Sequence, residues 1–306
     1  QCLSNLKTIG NILNFAIVGA PKCGTTSLFA SLSERSDISF LGKDSHLLGQ
    51  DLELLKRDPA VNYKGIIDQF RNNQLIGDAS VWYLYSKTAA QEIHELNPDC
   101  KIIICLRNPM ELIPSLHNQH LKGGDESEID LNKALNADHR NERIPRGVQF
   151  KYRPKYIDTV DFEQQIRRYT ELFKQVLFVF HEDMKADFKD TVQRIEAFLG
   201  LDQRERINAI QSNKRQHIKH PDLLKTIKKK PILLKGVFRT LVPNKNWRHK
   251  IMTRAETAAL TDSNINENQL ISEENMEVVT ALIQKQLPHL KELTGRDCSN
   301  WLKVME

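Results

Sequence analysis

The chain has 306 residues, 40% of them hydrophobic and 27% charged, with a net charge of +5. That length suits one large α/β domain or two small ones, and no run approaches the roughly 18 apolar residues of a membrane helix. Five cysteines without CxxC spacing (Cys2, Cys23, Cys100, Cys105 and Cys298) exclude a disulfide framework and, with no signal-peptide pattern over residues 1–13, point to reduced thiols in the cytoplasm.

Asn14-Phe-Ala-Ile-Val18 reads as a buried strand. It is followed by a turn with two glycines, Gly19 and Gly24, and a predicted helix over 25–34. A turn of this kind points backbone N–H groups at an anion, and the helix dipole adds partial positive charge. The spacing Gly19-x4-Gly24 is nearly that of a nucleotide-binding P-loop, which then demands Lys and Ser/Thr. Here Thr25, Thr26 and Ser27 follow Gly24, and the lysine stands earlier, at Lys22. Kinase chemistry places Lys on the β/γ-phosphates and a hydroxyl on Mg2+, so this order argues against a P-loop kinase. Cys23, at a helix N-terminus beside Lys22, is expected to carry either an acidified, oxidation-sensitive thiol or a buried, inert one.

Residues 37–41 read as extended and 42–46 as a polar turn. Helices are predicted over 51–56 and 63–70, an extended segment over 75–80, and a helix over 88–96 ended by Asn97-Pro98. The apolar run 101–106 suits a buried parallel strand and leads into Arg107-Asn108-Pro109. A helix over 111–121 has Pro114 restricting its start. Residues 123–128 form a loop, and 131–156 are polar and ambiguous. An amphipathic helix over 161–174, a strand over 176–180 and a helix over 187–199 closed by Gly200 follow, with a last helix over 273–293. Glu182 and Asp183 read as a polar strand-to-helix turn. Strands alternating with helices imply a parallel sheet with helices on both faces, where ligands bind at the carboxyl ends of strands. With no internal repeat, a single domain over 14–302 is expected, residues 1–13 being an N-terminal extension.

Charge is unevenly placed. From Lys214 to Lys250 twelve Lys/Arg face one acid, Asp222, which leaves the rest of the chain net negative. A basic run suits a polyanionic ligand, a nucleic acid or an anionic membrane surface. A nucleic-acid site calls for interleaved aromatics, and only Phe238 and Trp247 lie there. Pro231 and Pro243 interrupt any membrane-surface helix. Neither stable membrane insertion nor a nucleic-acid partner is expected.

Arg107 stands at a strand end with Ser115 eight residues on, about two helical turns away. An arginine fork and a hydroxyl suit a phosphate. Pro21-Lys22-x-Gly24-Thr25-Thr26 resembles the 5′-phosphosulfate loop of sulfotransferases that use 3′-phosphoadenosine 5′-phosphosulfate (PAPS). Arg107-Asn-Pro with Ser115 resembles the motif that holds the 3′-phosphate there. Lys43-Asp44-Ser45-His46-Leu47-Leu48 is similar to Lys-Glu-x-His-Phe-Phe of glycan and bacterial members. Gly77-Asp78-Ala79-Ser80 is similar to the bacterial Gly-Glu-Ala-Ser, and His181-Glu-Asp-Met with Phe198-Leu-Gly-Leu resembles Tyr-Glu-Asp-Leu…Phe-Leu-Gly-Leu. The tail from Leu293 to Trp301 also fits bacterial members, so the resemblance covers nearly the whole chain. It is greatest to bacterial, cyanobacterial-like sulfotransferase-domain proteins and more distant to heparan sulfate sulfotransferases.

The resemblance implies a P-loop-like three-layer α/β fold, PAPS as donor, PAP as product, and no metal. It implies that Lys22, Cys23, Gly24, Thr25, Thr26 and Ser27 cradle the 5′-phosphate, with Lys22 neutralising the leaving group. Arg107 and Ser115 would hold the 3′-phosphate, and Lys214 or Arg215 would reach it from a basic lid-like insertion over 214–260. The acceptor's proton would go to Asp44 or His46, with Asp78, His117 and His120 as fallbacks. A small hydroxylated or amine-bearing metabolite of specialised metabolism is the expected acceptor, with a saccharide as runner-up.

Overall fold

Strand β1 (Leu13–Gly19) is apolar along almost its whole length because it is covered on both faces and flanked on both edges. It pairs in parallel with β3 (Leu75–Ala79) on one side and with β4 (Lys101–Leu106) on the other. β2 (Ile38–Lys43) extends the sheet beyond β3, and β5 (Val176–Phe180) extends it beyond β4. The resulting order is β2-β3-β1-β4-β5, all parallel. The computed structural model describes residues 13–52, 74–123, 125–136, 154–207, 217–218, 260–261 and 270–302.

Helices connect these strands: α1 (Thr25–Ser33), α2 (Ala89–Leu96), α3 (Pro109–Gly123), α4 (Leu131–Asn136), α5 (Tyr156–Thr159) and α6 (Phe162–Thr170). After β5 come α7 (His181–Ala186) and α8 (Phe188–Leu199), and α9 (Glu273–Thr294) is the last helix described. The sheet is the parallel one the alternation implied, in the P-loop-like α/β arrangement the resemblance implied. The core runs through Phe15, Ile17, Ile103 and Leu106 of the sheet and Leu28, Leu112 and Ile166 of the helices. At the rim, the fully buried Glu196 of α8 receives Arg35 Nη1 at 3.1 Å and Arg204 Nε at 2.5 Å, joining α8 to the end of α1.

Several boundaries differ from expectation. α3 begins at Pro109, two residues early, because Asn108 caps it: Met110 N–H donates to Asn108 Oδ1 at 3.0 Å, and proline suits the first helical position. Pro114 is accommodated inside that helix. Glu182 and Asp183 lie in the short helix α7 rather than in an open turn. α6 is shorter than predicted, and within 51–56 only the 3-10 turn Gln50–Leu52 is described. The expected helix 63–70 lies outside the described residues, as does most of 131–156 beyond α4 and of the basic segment 214–260. From that segment and its approach, β6 (His217–Ile218) pairs antiparallel with β7 (Leu260–Thr261), and β6 lies beside α3.

Candidate active site

The loop from Ala20 to Gly24 leaves the carboxyl end of β1 and turns straight into α1. Gly19 has φ +144°, and a Cβ there would come within 2.5 Å of the Val81 carbonyl oxygen. Gly24 has φ +81° and serves as the N-cap of α1, where a Cβ would meet Met184 Cε at 2.6 Å. Both places therefore need a residue without a side chain. The first N–H groups of an α-helix lack an acceptor one turn back; the Ser27 N–H donates to the Gly24 carbonyl at 3.0 Å, and those of Thr25 and Thr26 begin the helix at the opening. Lys22, Gly24, Thr26 and Ser27 are half-buried around this opening, and Thr25 is buried.

Arg107, at the carboxyl end of β4, leans across to this loop. Its Nη1 donates to the Lys22 carbonyl oxygen at 3.1 Å, while Nε and Nη2 donate to Glu111 Oε2 at 3.1 and 2.6 Å. Lys185 of α7 donates to the same carboxylate oxygen at 2.9 Å. Burial tends to raise the Glu111 pKa, but the hydrogen bonds and charges of Lys185 and Arg107 outweigh it and hold the carboxyl down to about 2. Ser115 lies two turns along α3, half-buried.

The electrostatics of this rim are set by crowded positive charge. Burial lowers the Lys22 pKa, and the Arg107 charge lowers it further. Two cations held close together and partly desolvated favour negative charge beside them. His181 feels the same field: burial first, then Arg107 and Lys185, bring its pKa down to about 4, so its ring is neutral at physiological pH. Its Nδ1 is buried without a hydrogen-bond partner and faces Gly24, at 3.3 Å from where a Cβ would sit. Glu182 Oε1 accepts the Asn108 N–H at 3.1 Å and so steadies the start of α3.

Of the two readings of Cys23, the structure supports the buried thiol. Its thiol is fully buried and donates to the Pro21 carbonyl at 3.5 Å. Burial, with Cys105 and Glu182 nearby, pushes its pKa well up rather than down, and Arg107 offsets only part of this. Desolvation outweighs the helix terminus here, so the thiol is not the acidified one. Lys214 and Arg215 lie outside the described residues.

On the other side of β1, the turn after β2 carries Asp44 and His46. Asp44 is exposed, its carboxylate paired with Lys43 Nζ at 2.9 Å, and its N–H donates to the Ala79 carbonyl at 2.9 Å. His46 is buried, with its ring edge-on to Tyr83 at 6.4 Å between centroids. Both residues have left-handed backbones, φ +53° and +47°, which is rare outside glycine. Beneath them lies Asp78, which is 1% exposed and surrounded by Ser45, Ser80 and Tyr83 hydroxyls. His117 and His120 are buried against Tyr156 at 5.8 and 5.7 Å, with Trp82 stacked on His120 at 5.9 Å.

The fold thus brings Lys22, Gly24, Thr25, Thr26, Ser27 and Arg107 to one rim and places Asp44 and His46 on a neighbouring turn. Sequence reasoning missed Glu111, Lys185 and His181. Glu111 was findable as the i+4 partner of Arg107 on a predicted helix. Lys185 and His181 needed the tertiary crossing of β5 beside β4.

A family model of the sulfotransferase domain matches residues 14–259. The heparan sulfate glucosamine 3-O-sulfotransferases 6 of Mus musculus and Homo sapiens are each 25% identical over 196 residues, 60% of this chain and 51% of the relative. The chain thus spans about half the length of the curated relatives it matches. The crystal structure of a sulfotransferase from Alicyclobacillus acidocaldarius has the same fold, with a TM-score of 0.66 at 23% identity over 95% of this chain and 98% of that one. On its sequence, its sheet and its paired strand-end motifs, the chain belongs to the sulfotransferase domain family.

Proposed function

We propose that this chain transfers a sulfuryl group from PAPS to a hydroxyl or amine of a small metabolite or saccharide. The observation that carries the reading is the hydrogen bond from Arg107 to the Lys22 carbonyl, which ties the ends of β1 and β4 into one cationic rim. Arg107 and Ser115 take the 3′-phosphate. The N–H groups and hydroxyls of residues 24–27 take the 5′-phosphate. Lys22 neutralises the charge that returns to the leaving phosphate oxygen as its bond to sulfur breaks. Asp44 or His46 accepts the proton as the acceptor's oxygen or nitrogen bonds to sulfur. The rest is alignment: nucleophile, sulfur and leaving oxygen held in line.

The single domain over 14–302 is part of this proposal, as is a lid over 214–260 that brings Lys214 or Arg215 to the 3′-phosphate. The contact of β6 with α3, the helix bearing Ser115, supports that placement. The free thiols of Cys23, Cys100, Cys105 and Cys298 suit work in the cytoplasm. No helix described is long and apolar enough to cross a membrane.

Calorimetric titration with PAP, ATP–Mg2+ and single-stranded RNA tests the reading. PAP is expected to bind, and ATP–Mg2+ and RNA to bind at least about tenfold more weakly, since neither supplies the 3′-phosphate in the right place. Tight ATP–Mg2+ binding without PAP binding would overturn it. Labelled PAPS incubated with fractionated metabolite and oligosaccharide pools then identifies the acceptor class.

A further inference from the structure

Asp78, at the carboxyl end of β3, is a buried carboxylate that accepts three hydrogen bonds beneath the Asp44–His46 turn. Its Oδ1 accepts from Ser80 Oγ at 2.6 Å, and its Oδ2 accepts from Ser45 Oγ at 2.6 Å and Tyr83 OH at 3.2 Å. An ionised carboxylate only accepts, and each hydroxyl owns one proton. With those protons committed to Asp78, the hydroxyl lone pairs turn outward toward the next layer. Ser80 Oγ there accepts the His46 N–H at 3.0 Å, and Tyr83 OH accepts the Leu48 N–H at 3.1 Å. Ser45, the third member, sits between the two left-handed residues Asp44 and His46. Asp78 is 1% exposed, and its oxygens face these three hydroxyls.

We propose that Asp78 is a positioning residue for the acceptor side of the reaction: by orienting the Ser45, Ser80 and Tyr83 hydroxyls it fixes the turn that carries Asp44 and His46. This rests on the reading of that turn as the proton-accepting element. Asp78→Asn keeps the shape but replaces one acceptor by a donor. Whichever oxygen becomes the amide nitrogen, at least one hydroxyl facing it must accept instead, and its own proton is displaced toward the turn. If that hydroxyl is Ser80 or Tyr83, an O–H is aimed at the N–H of His46 or Leu48. The hydrogen-bond directions then conflict and the turn loosens, while the ion pairs of Arg107, Glu111 and Lys185 lie outside this network.

The test uses the full chain with three readouts: amide exchange at His46 and Leu48, PAP affinity by calorimetry, and single-turnover transfer from labelled PAPS to the pooled metabolite fraction. In Asp78→Asn the two amides are expected to exchange at least about tenfold faster, while PAP affinity stays within about twofold and transfer falls on the order of 10²-fold, the cost of a misplaced reacting group. Tyr83→Phe, which removes the Leu48 acceptor and one of the three donors to Asp78 but leaves Ser80 Oγ facing the His46 N–H, is expected to speed exchange at Leu48 more than at His46, with a smaller loss of transfer. This second variant keeps the inference testable should Asp78→Asn fail to fold. Unchanged exchange at both amides, or PAP affinity falling in step with transfer, overturns the positioning role. Absence of PAP binding by the unsubstituted chain would instead overturn the proposed function, and the exchange result would stand by itself.

Discussion

The two sides of the site are each organised around one carboxylate, and they use it in opposite ways. On the phosphate rim, Glu111 is gripped by two cations, Arg107 and Lys185, and its pKa falls to about 2. On the neighbouring turn, Asp78 has only hydroxyls around it, and burial raises its pKa despite three hydrogen bonds. The rim is built of backbone donors and fixed charge, the turn of side-chain hydroxyls whose directions must agree. Charge on a rim can receive the same phosphates whatever the acceptor is, whereas a hydroxyl-held turn can be respecified by a few substitutions. The difference teaches where the chemistry is rigid and where it is adjustable.

The sharpest way to break this division is at the turn itself. Asn tolerates a left-handed backbone, so Asp44→Asn and His46→Asn remove the titrating group while keeping the fold of the turn. Loss of the true general base is expected to cost roughly 10²–10⁴ in rate. A carboxylate base gives an acid limb of kcat/KM well below neutral that vanishes in Asp44→Asn. An imidazole base gives a limb near pH 6–7 that vanishes in His46→Asn. Wild-type profiles in both variants would move proton acceptance off this turn and dissolve the comparison.

Next in size is Lys22→Met on the rim. In the proposed function the lysine neutralises the charge returning to the leaving oxygen, so the loss is expected in rate more than in PAP affinity, on the order of 10²–10³. Near-normal single-turnover transfer would mean that the rim binds without assisting departure.

Arg107→Ala is expected to act oppositely, on affinity. Truncating one partner of a buried charged contact costs roughly 2–5 kcal/mol, so PAP should bind at least tenfold more weakly and discrimination against adenosine 5′-phosphate should shrink. Unchanged calorimetric affinity in a folded variant would separate Arg107 from the 3′-phosphate.

The same division governs what the sequence disclosed. The positions of Gly19, Lys22, Gly24 and Arg107 at the ends of β1 and β4 were legible because they follow two apolar strands, and local chain geometry suffices to place glycines and strand-end residues; the phosphate roles given to them and to Ser115 belong to the proposal. The parallel sheet was legible for the same reason. The environment of Cys23 was not, since its burial depends on Cys105 and Glu182, residues far along the chain. Asp78 was visible only as part of a short motif. Its role comes from Ser45, 33 residues earlier, and from Tyr83 across the turn. Side-chain networks between elements carry no periodicity, so sequence pattern does not reveal them.

The smallest expected effect separates the two carboxylates by the sign of their pH dependence. Glu111 titrates at about 2 in the folded chain against an ordinary 4.5, so the stability it contributes is present at neutral pH and is lost as pH falls from about 4.5 toward 2. Asp78 has the reverse sign. Its folded pKa lies above the ordinary 3.8, so its contribution is present below that value and is lost as pH rises through the folded pKa. In melting curves of the ligand-free chain, Glu111→Gln should therefore flatten the acid decline between about pH 4.5 and 2. Asp78→Asn should leave that decline at least as steep, because the term it removes runs the other way. Identical slopes in the unsubstituted chain and Glu111→Gln would mean that Arg107 and Lys185 do not hold the carboxylate in solution. The rim would then have no preset charge to contrast with the turn.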